Sequence, residues 1–158
     1  IYDKYHCLMP FMDGGKSKIG LESTVVSLYG KTKVLRPGAI SHKKIGKVLK
    51  ENISILKKTK ELRSPGLLKR HYSPGIPIKL NCKKTDGKAA FIVFGKKYKK
   101  ARNMFNLSRN GNLKEAAKNL YKTLRKIKNL KYKKINVVKI PNYNIGIAIN
   151  DRLRRASH

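Results

Sequence analysis

Polar and apolar residues follow two different rhythms along this chain, and the change from one to the other divides it. In GLESTVVSLYG (residues 20–30) the β-branched run Thr24, Val25, Val26 predicts a strand. A turn over Tyr29–Thr32 and the return stretch KVLRPGAIS (residues 33–41) predict a hairpin whose second strand stops at Pro37-Gly38. Ser41 can then cap a short helix carrying Ile45, Val48 and Leu49 on one face, and that helix fades into a polar stretch from Lys50 to Arg63.

The second rhythm begins at IPIKL (residues 76–80), which alternates as a strand. AAFIVFG (residues 89–95) is a short continuous apolar run, the pattern of a strand covered on both faces. Asn112 with Glu115 three residues on reads as a capping box, and Leu113, Ala116, Ala117, Leu120, Leu124 and Ile127 recur at helical spacing. KINVVKI (residues 134–140) predicts another buried strand and NIGIAINDRLRRAS (residues 144–157) a closing helix. Strand, helix, strand, helix in that order predicts a small parallel α/β layer with right-handed crossovers.

Charge alters this picture more than composition does. Against 39 Lys+Arg stand 8 Asp+Glu, a formal net charge of +31, so a positive field covers much of the surface and attracts polyanions such as RNA or nucleotide phosphates. Most of these cations are Lys scattered through every segment, which fits a lysine-biased composition with solvated faces as well as it fits a dedicated RNA surface. Trp is absent and no RNA-binding motif stands out. No apolar run reaches the roughly 18–20 residues of a membrane span. Cys7 and Cys82 lack CxxC spacing, which argues against a disulfide framework or a zinc site, and no metal-ligand set stands out. The first residues show no secretory pattern, so a reduced, cytoplasmic setting is expected and no membrane partner. The oligomeric state is not written in these patterns.

One loop carries unusual chemistry. SPGLLKRHYSPGIP (residues 64–77) places a guanidinium, an imidazole and a phenol side by side at Arg70, His71 and Tyr72, between two Ser-Pro pairs. The prolines restrict how far such a loop wanders, so its polar groups return to one place at low entropic cost.

Taken together, GLESTVV, LRPGAIS, SPGLLKRHYSP, NLSRNGNLKEAAKNLYKTLRKI and GIAINDRLRRAS, in this order, resemble the second half of the two-domain threonylcarbamoyl-AMP synthases. Those proteins join a YrdC-type catalytic domain to a smaller C-terminal domain, and the likeness runs from about Met12 to the end. The fold implied is α/β: a C-terminal remnant of the YrdC-type domain over residues 1–50, a linker and active-site lid over 51–77, and a small parallel-sheet, Rossmann-like domain over 78–158.

The resemblance also implies a reaction: L-threonine, bicarbonate and ATP condense to threonylcarbamoyl-AMP with release of pyrophosphate, and the product serves tRNA threonylcarbamoyladenosine formation. ATP is then a substrate, Mg2+ is expected with it, and tRNA or tRNA-modification proteins are expected partners. By resemblance Ser23 lies in the threonine pocket, where a hydroxyl donates and accepts. By the same resemblance Arg36 is expected to contact ATP, its planar fork suiting phosphate oxygens. Arg70, His71 and Tyr72 match the last three positions of a Lys-Tyr-Arg-His-Tyr lid over the nucleotide, from which the chain departs at Leu68 and Lys69. No residue is assigned as acid, base or nucleophile.

Glu22 is read as structural, paired with a nearby cation or backbone, and Asp151 with Arg152 as a structural pair. The family's N-terminal stretches, with their basic cluster and Ser-Asn segment, have no counterpart here. A piece of a longer product, or of a split or decaying gene, is therefore expected, with residues 1–11 a remnant and little or no catalysis by the chain alone. The competing expectation is a non-catalytic basic module that holds nucleotide or tRNA.

Overall fold

The structure is a computed structural model, and it describes residues 10, 12–15, 17–56, 73–85 and 87–157. The predicted lid residues Arg70, His71 and Tyr72, with Leu68 and Lys69, lie outside the described residues.

The predicted hairpin is present. Strand β1 (Val25–Ser27) pairs antiparallel with β2 (Lys33–Arg36), with Val25 opposite Arg36 and an irregularity between Val25 and Val26. Helix α1 (His42–Leu49) follows, and its Ser41 cap accepts from the Lys44 N–H as its type suggests. The face is not the predicted one. Val48 is 81% exposed and Leu49 42%, because the helix turns Gly46 inward, where a Cβ would stand 2.5 Å from the Glu51 carbonyl oxygen. The polar stretch after it also contains a strand. β3 (Ser54–Ile55) runs parallel to β2 and completes a three-stranded sheet in the order β1-β2-β3.

The second layer is a parallel sheet of β4 (Ile78–Lys79), β5 (Ala90–Val93), β6 (Met104–Asn106) and β7 (Ile135–Val137) in the order β4-β7-β5-β6. Every residue of β5 and β7 is buried, as the continuous apolar runs predict for strands covered on both faces. Helix α2 (Leu113–Asn129) connects β6 to β7 and buries Ala116, Ala117, Leu120, Leu124 and Ile127, while Leu113 is half-buried. Helix α3 (Ile145–Ala156) closes the layer with Ile149 and Leu153 in the same core. The molecule is thus mixed α/β, with a parallel four-stranded sheet and three helices among the described residues.

The capping box at α2 is relayed. Asn112 Oδ1 accepts from the Lys114 and Glu115 N–H groups at 2.9 and 3.1 Å, but Glu115 does not reach back to the Asn112 N–H. Ser108 stands between them, accepting from the Asn112 N–H at 2.9 Å and donating to the Glu115 carboxylate. Among the described residues no helix is long and apolar enough to cross a membrane.

Candidate functional site

Ser23 stands two residues before β1, and Arg36 is the last residue of β2. Antiparallel pairing brings them together although thirteen positions separate them. Arg36 Nε and Nη2 each donate to the Ser23 carbonyl oxygen at 3.2 Å, and Nη2 lies 3.4 Å from the Ser23 hydroxyl oxygen. Ser23 is exposed and Arg36 half-buried.

The backbone on either side is tied in several places. Thr24 Oγ1 donates to the Ile40 carbonyl at 2.8 Å, joining the two segments beyond the strand pairing. Between those residues Gly38 presses its backbone against the opposite chain: a Cβ there would stand 2.3 Å from the Thr24 nitrogen and 2.5 Å from the Ser23 carbonyl carbon. Only a residue without a side chain permits that approach.

Glu22, adjacent to Ser23, anchors the site to the second layer. Its carboxylate accepts from Arg152 Nε at 2.7 Å and from the Tyr121 hydroxyl at 2.9 Å. Burial pushes this carboxyl up, but the hydrogen bond and the charge of Arg152, with help from Tyr121, outweigh it and hold the group below the usual carboxylate range. Arg152 responds in the complementary sense: burial disfavours its charge, while the bond and the charge of Glu22 restore it and raise the guanidinium above its usual value. Asp151 accepts from Arg152 Nη1 at 2.7 Å and from Arg155 Nε at 3.0 Å. The structural reading of Glu22 and of the Asp151–Arg152 pair therefore agrees with the contacts. The partnership of Glu22 with Arg152 and Tyr121 left no trace in the sequence, since these residues stand 130 and 99 positions from Glu22.

An open groove of about 430 Å3 runs along α1, lined by His42, Lys43, Lys47, Lys50, Glu51 and Ile53. Neither Ser23 nor Arg36 lines it. Among the described residues no group of three His, Cys, Asp or Glu is placed to hold a metal ion.

Residues 40–158 match the family model described as threonylcarbamoyl-AMP synthase, C-terminal domain. A curated relative, the threonylcarbamoyl-AMP synthase of Pyrococcus abyssi (strain GE5 / Orsay), is 30% identical over 177 residues, an alignment covering 99% of this chain and 50% of the relative. The crystal structure of P. abyssi Sua5 complexed with L-threonine superimposes with a TM-score of 0.75 at 28% identity, covering 92% of this chain and 48% of that one. A P. abyssi Sua5 variant, with a histidine and the tyrosine after it both changed to alanine, gives 0.72 at 28% identity over 92% of this chain and 47% of its own. The chain thus spans about half the length of the curated relatives it matches. With a family model covering well over half of its residues, and a relative and solved structures of one kind along nearly all of its length, this chain belongs to the threonylcarbamoyl-AMP synthase family.

Proposed function

We propose that this chain works as part of an L-threonylcarbamoyladenylate synthase, a nucleotidyltransferase that forms threonylcarbamoyl-AMP from L-threonine, bicarbonate and ATP for tRNA threonylcarbamoyladenosine. The observation that carries the reading is the meeting of Ser23 and Arg36 at one end of the β1–β2 pair, one offering a hydroxyl and the other a guanidinium. A relative of the same fold binds L-threonine, the amino acid this site would take.

The roles follow from the groups. The Ser23 hydroxyl orients the threonine, and the Arg36 fork meets phosphate oxygens of ATP, exchanging its contact with the Ser23 carbonyl for the ligand. In the same reading residues 1–50 complete a catalytic domain, 51–77 include the lid and 78–158 form the supporting domain. Arg70, His71 and Tyr72 close over the nucleotide and exclude water from the labile adenylate. The variant relative lacks an adjacent histidine and tyrosine, and His71-Tyr72 is the one such pair in this sequence. Magnesium would enter with the triphosphate, and the described residues offer no cluster for it. A cytoplasmic setting, with tRNA-modification proteins downstream, belongs to this reading.

The test is pyrophosphate release with ATP, magnesium, L-threonine and bicarbonate, by the chain alone and with the separately made N-terminal half of a full-length relative. Threonine-dependent release on addition of that half is the expected result. Silence with both, from a folded chain, overturns the reading.

The net charge of +31 favours a second reading, a basic module that holds tRNA or nucleotide without turnover. RNA held through many phosphates then weakens steeply with salt, at a log-log slope of roughly −0.7 to −0.9 per phosphate contacted.

A further inference from the structure

The Arg152 guanidinium leaves its own helix and layer to enter the other. Its side chain is 3% exposed, and it donates from Nε to Glu22 and from Nη2 to the Pro37 carbonyl at 3.1 Å, while Nη1 stays with Asp151 on α3. Glu22 is the residue before Ser23, and Pro37 is the residue after Arg36. One planar group therefore grips the neighbours of both candidate ligand residues, one from each chain segment.

The other links between those segments, the β1–β2 pairing, the Arg36 contact with Ser23, Thr24 to Ile40 and the Gly38 approach, lie within the three-stranded unit itself. The Arg152 contacts come from outside it, and their rigid fork fixes a spacing rather than a single point. A lysine there keeps one charge on one partner and loses the second grip. Burial makes the grip durable, since an unpaired guanidinium in that place has no water to turn to.

We propose that Arg152 is a positioning residue for the substrate site, setting the distance between Ser23 and Arg36 by holding Glu22 and Pro37 together from the second layer. The inference rests on the ligand roles given to Ser23 and Arg36 above. It assigns to α3 a part in substrate binding at a distance, through backbone placement and without contact to the substrate. Its signature is joint: threonine and ATP binding respond together, because one group places both of their receptors.

The test uses the full chain with the N-terminal half of a relative, and compares Arg152→Met and Arg152→Lys with three references. Ser23→Ala and Arg36→Ala report the site itself. Ile149→Val reports a stability change in the same helix with no route to Glu22 or Pro37. Arg152→Met raises the apparent KM for L-threonine and for ATP together, each on the order of tenfold, since sub-ångström misplacement of binding groups has effects of that size. Arg152→Lys falls between Arg152→Met and the parent chain, Ser23→Ala raises only the threonine value, Arg36→Ala only the ATP value, and Ile149→Val raises neither. Unchanged KM values in both Arg152 variants, with Ser23→Ala and Arg36→Ala still active in their effects, overturn the clamp and leave the site reading intact.

If Ser23→Ala and Arg36→Ala change nothing, the site reading fails, and the clamp is judged from the chain alone by the nitrogen-15 resonance of the Arg36 Nε–H. Arg152→Met shifts that resonance and speeds its exchange with water if Arg152 holds the two segments in place. An unaltered resonance overturns the inference on its own terms.

Discussion

The three-stranded and four-stranded units of this molecule are held by different forces. The four-stranded layer supplies every buried residue of the main apolar cluster: β5 and β7 are buried throughout, and α2 and α3 set Leu120, Ile127, Ile149 and Leu153 against them at 0–1% exposure. The three-stranded unit buries Val34, Leu35 and Ile53, yet it leaves Leu28, Tyr29, Ile40 and Val48 between 57% and 91% exposed. Its organisation near the candidate site is polar instead: Arg36 to Ser23, Thr24 to Ile40, and the pairing of half-buried Glu22 with buried Arg152. Apolar packing is non-directional, whereas a guanidinium fork specifies distance and angle. The unit with the less complete core is the one whose geometry is set by directed bonds.

The contrast can be broken most severely in the apolar layer. Leu120→Ala leaves a cavity against the sheet and lowers unfolding free energy by about 3 kcal/mol, read from a urea titration of the chain. In the three-stranded unit a close backbone approach takes the place of such a side chain. Gly38→Ala forces a methyl into the Ser23–Thr24 backbone and costs about 2 kcal/mol and, if Ser23 holds threonine as proposed, weakens threonine binding beyond what a comparably destabilised core variant shows.

The polar anchor sharpens the comparison through pH. The Glu22 carboxyl titrates below its unfolded value, so its stabilisation is full above the ordinary carboxylate range and is lost as pH falls through the lower folded value. Glu22→Gln therefore lowers the urea midpoint at pH 7, by about 1–2 kcal/mol in free energy, and its deficit against the parent chain shrinks as the pH is brought below that range. A deficit independent of pH contradicts the ionic role. The smallest effect belongs to the uncovered face of α1. Val48→Lys changes the stability of the chain alone by no more than about 0.5 kcal/mol in a thermal melt.

Where burial follows local periodicity, the sequence was readable. The 3.6-residue recurrence in α2 marked its buried stripe, and the continuous apolar run in β5 marked a strand covered on both faces. Ser41 and Asn112 announced their helix starts because a cap needs only the next three residues. The same logic failed for β3 and β6. Two or three residues, as in Ser54–Ile55 and Met104–Asn106, hold too little alternation to show a period, and their strand character comes from the neighbour they pair with. It also failed for α1, whose apolar spacing at Ile45, Val48 and Leu49 promised burial that the fold gives to Gly46 instead. Of the candidate site, Ser23 and Arg36 were legible through motif likeness, but their contact depends on hairpin register.

The amino-acid order alone determined the types of the longer elements, the core of the parallel layer, the cationic surface and the family likeness, since each rests on residues close together in the chain or on composition. Tertiary structure alone decided that Arg152 meets Glu22 and Pro37, that Tyr121 joins them, and that Ser23 faces Arg36. Those partners are distant in sequence. A directed bond between them forms only after strand pairing and helix packing have brought donor and acceptor within about 3 Å.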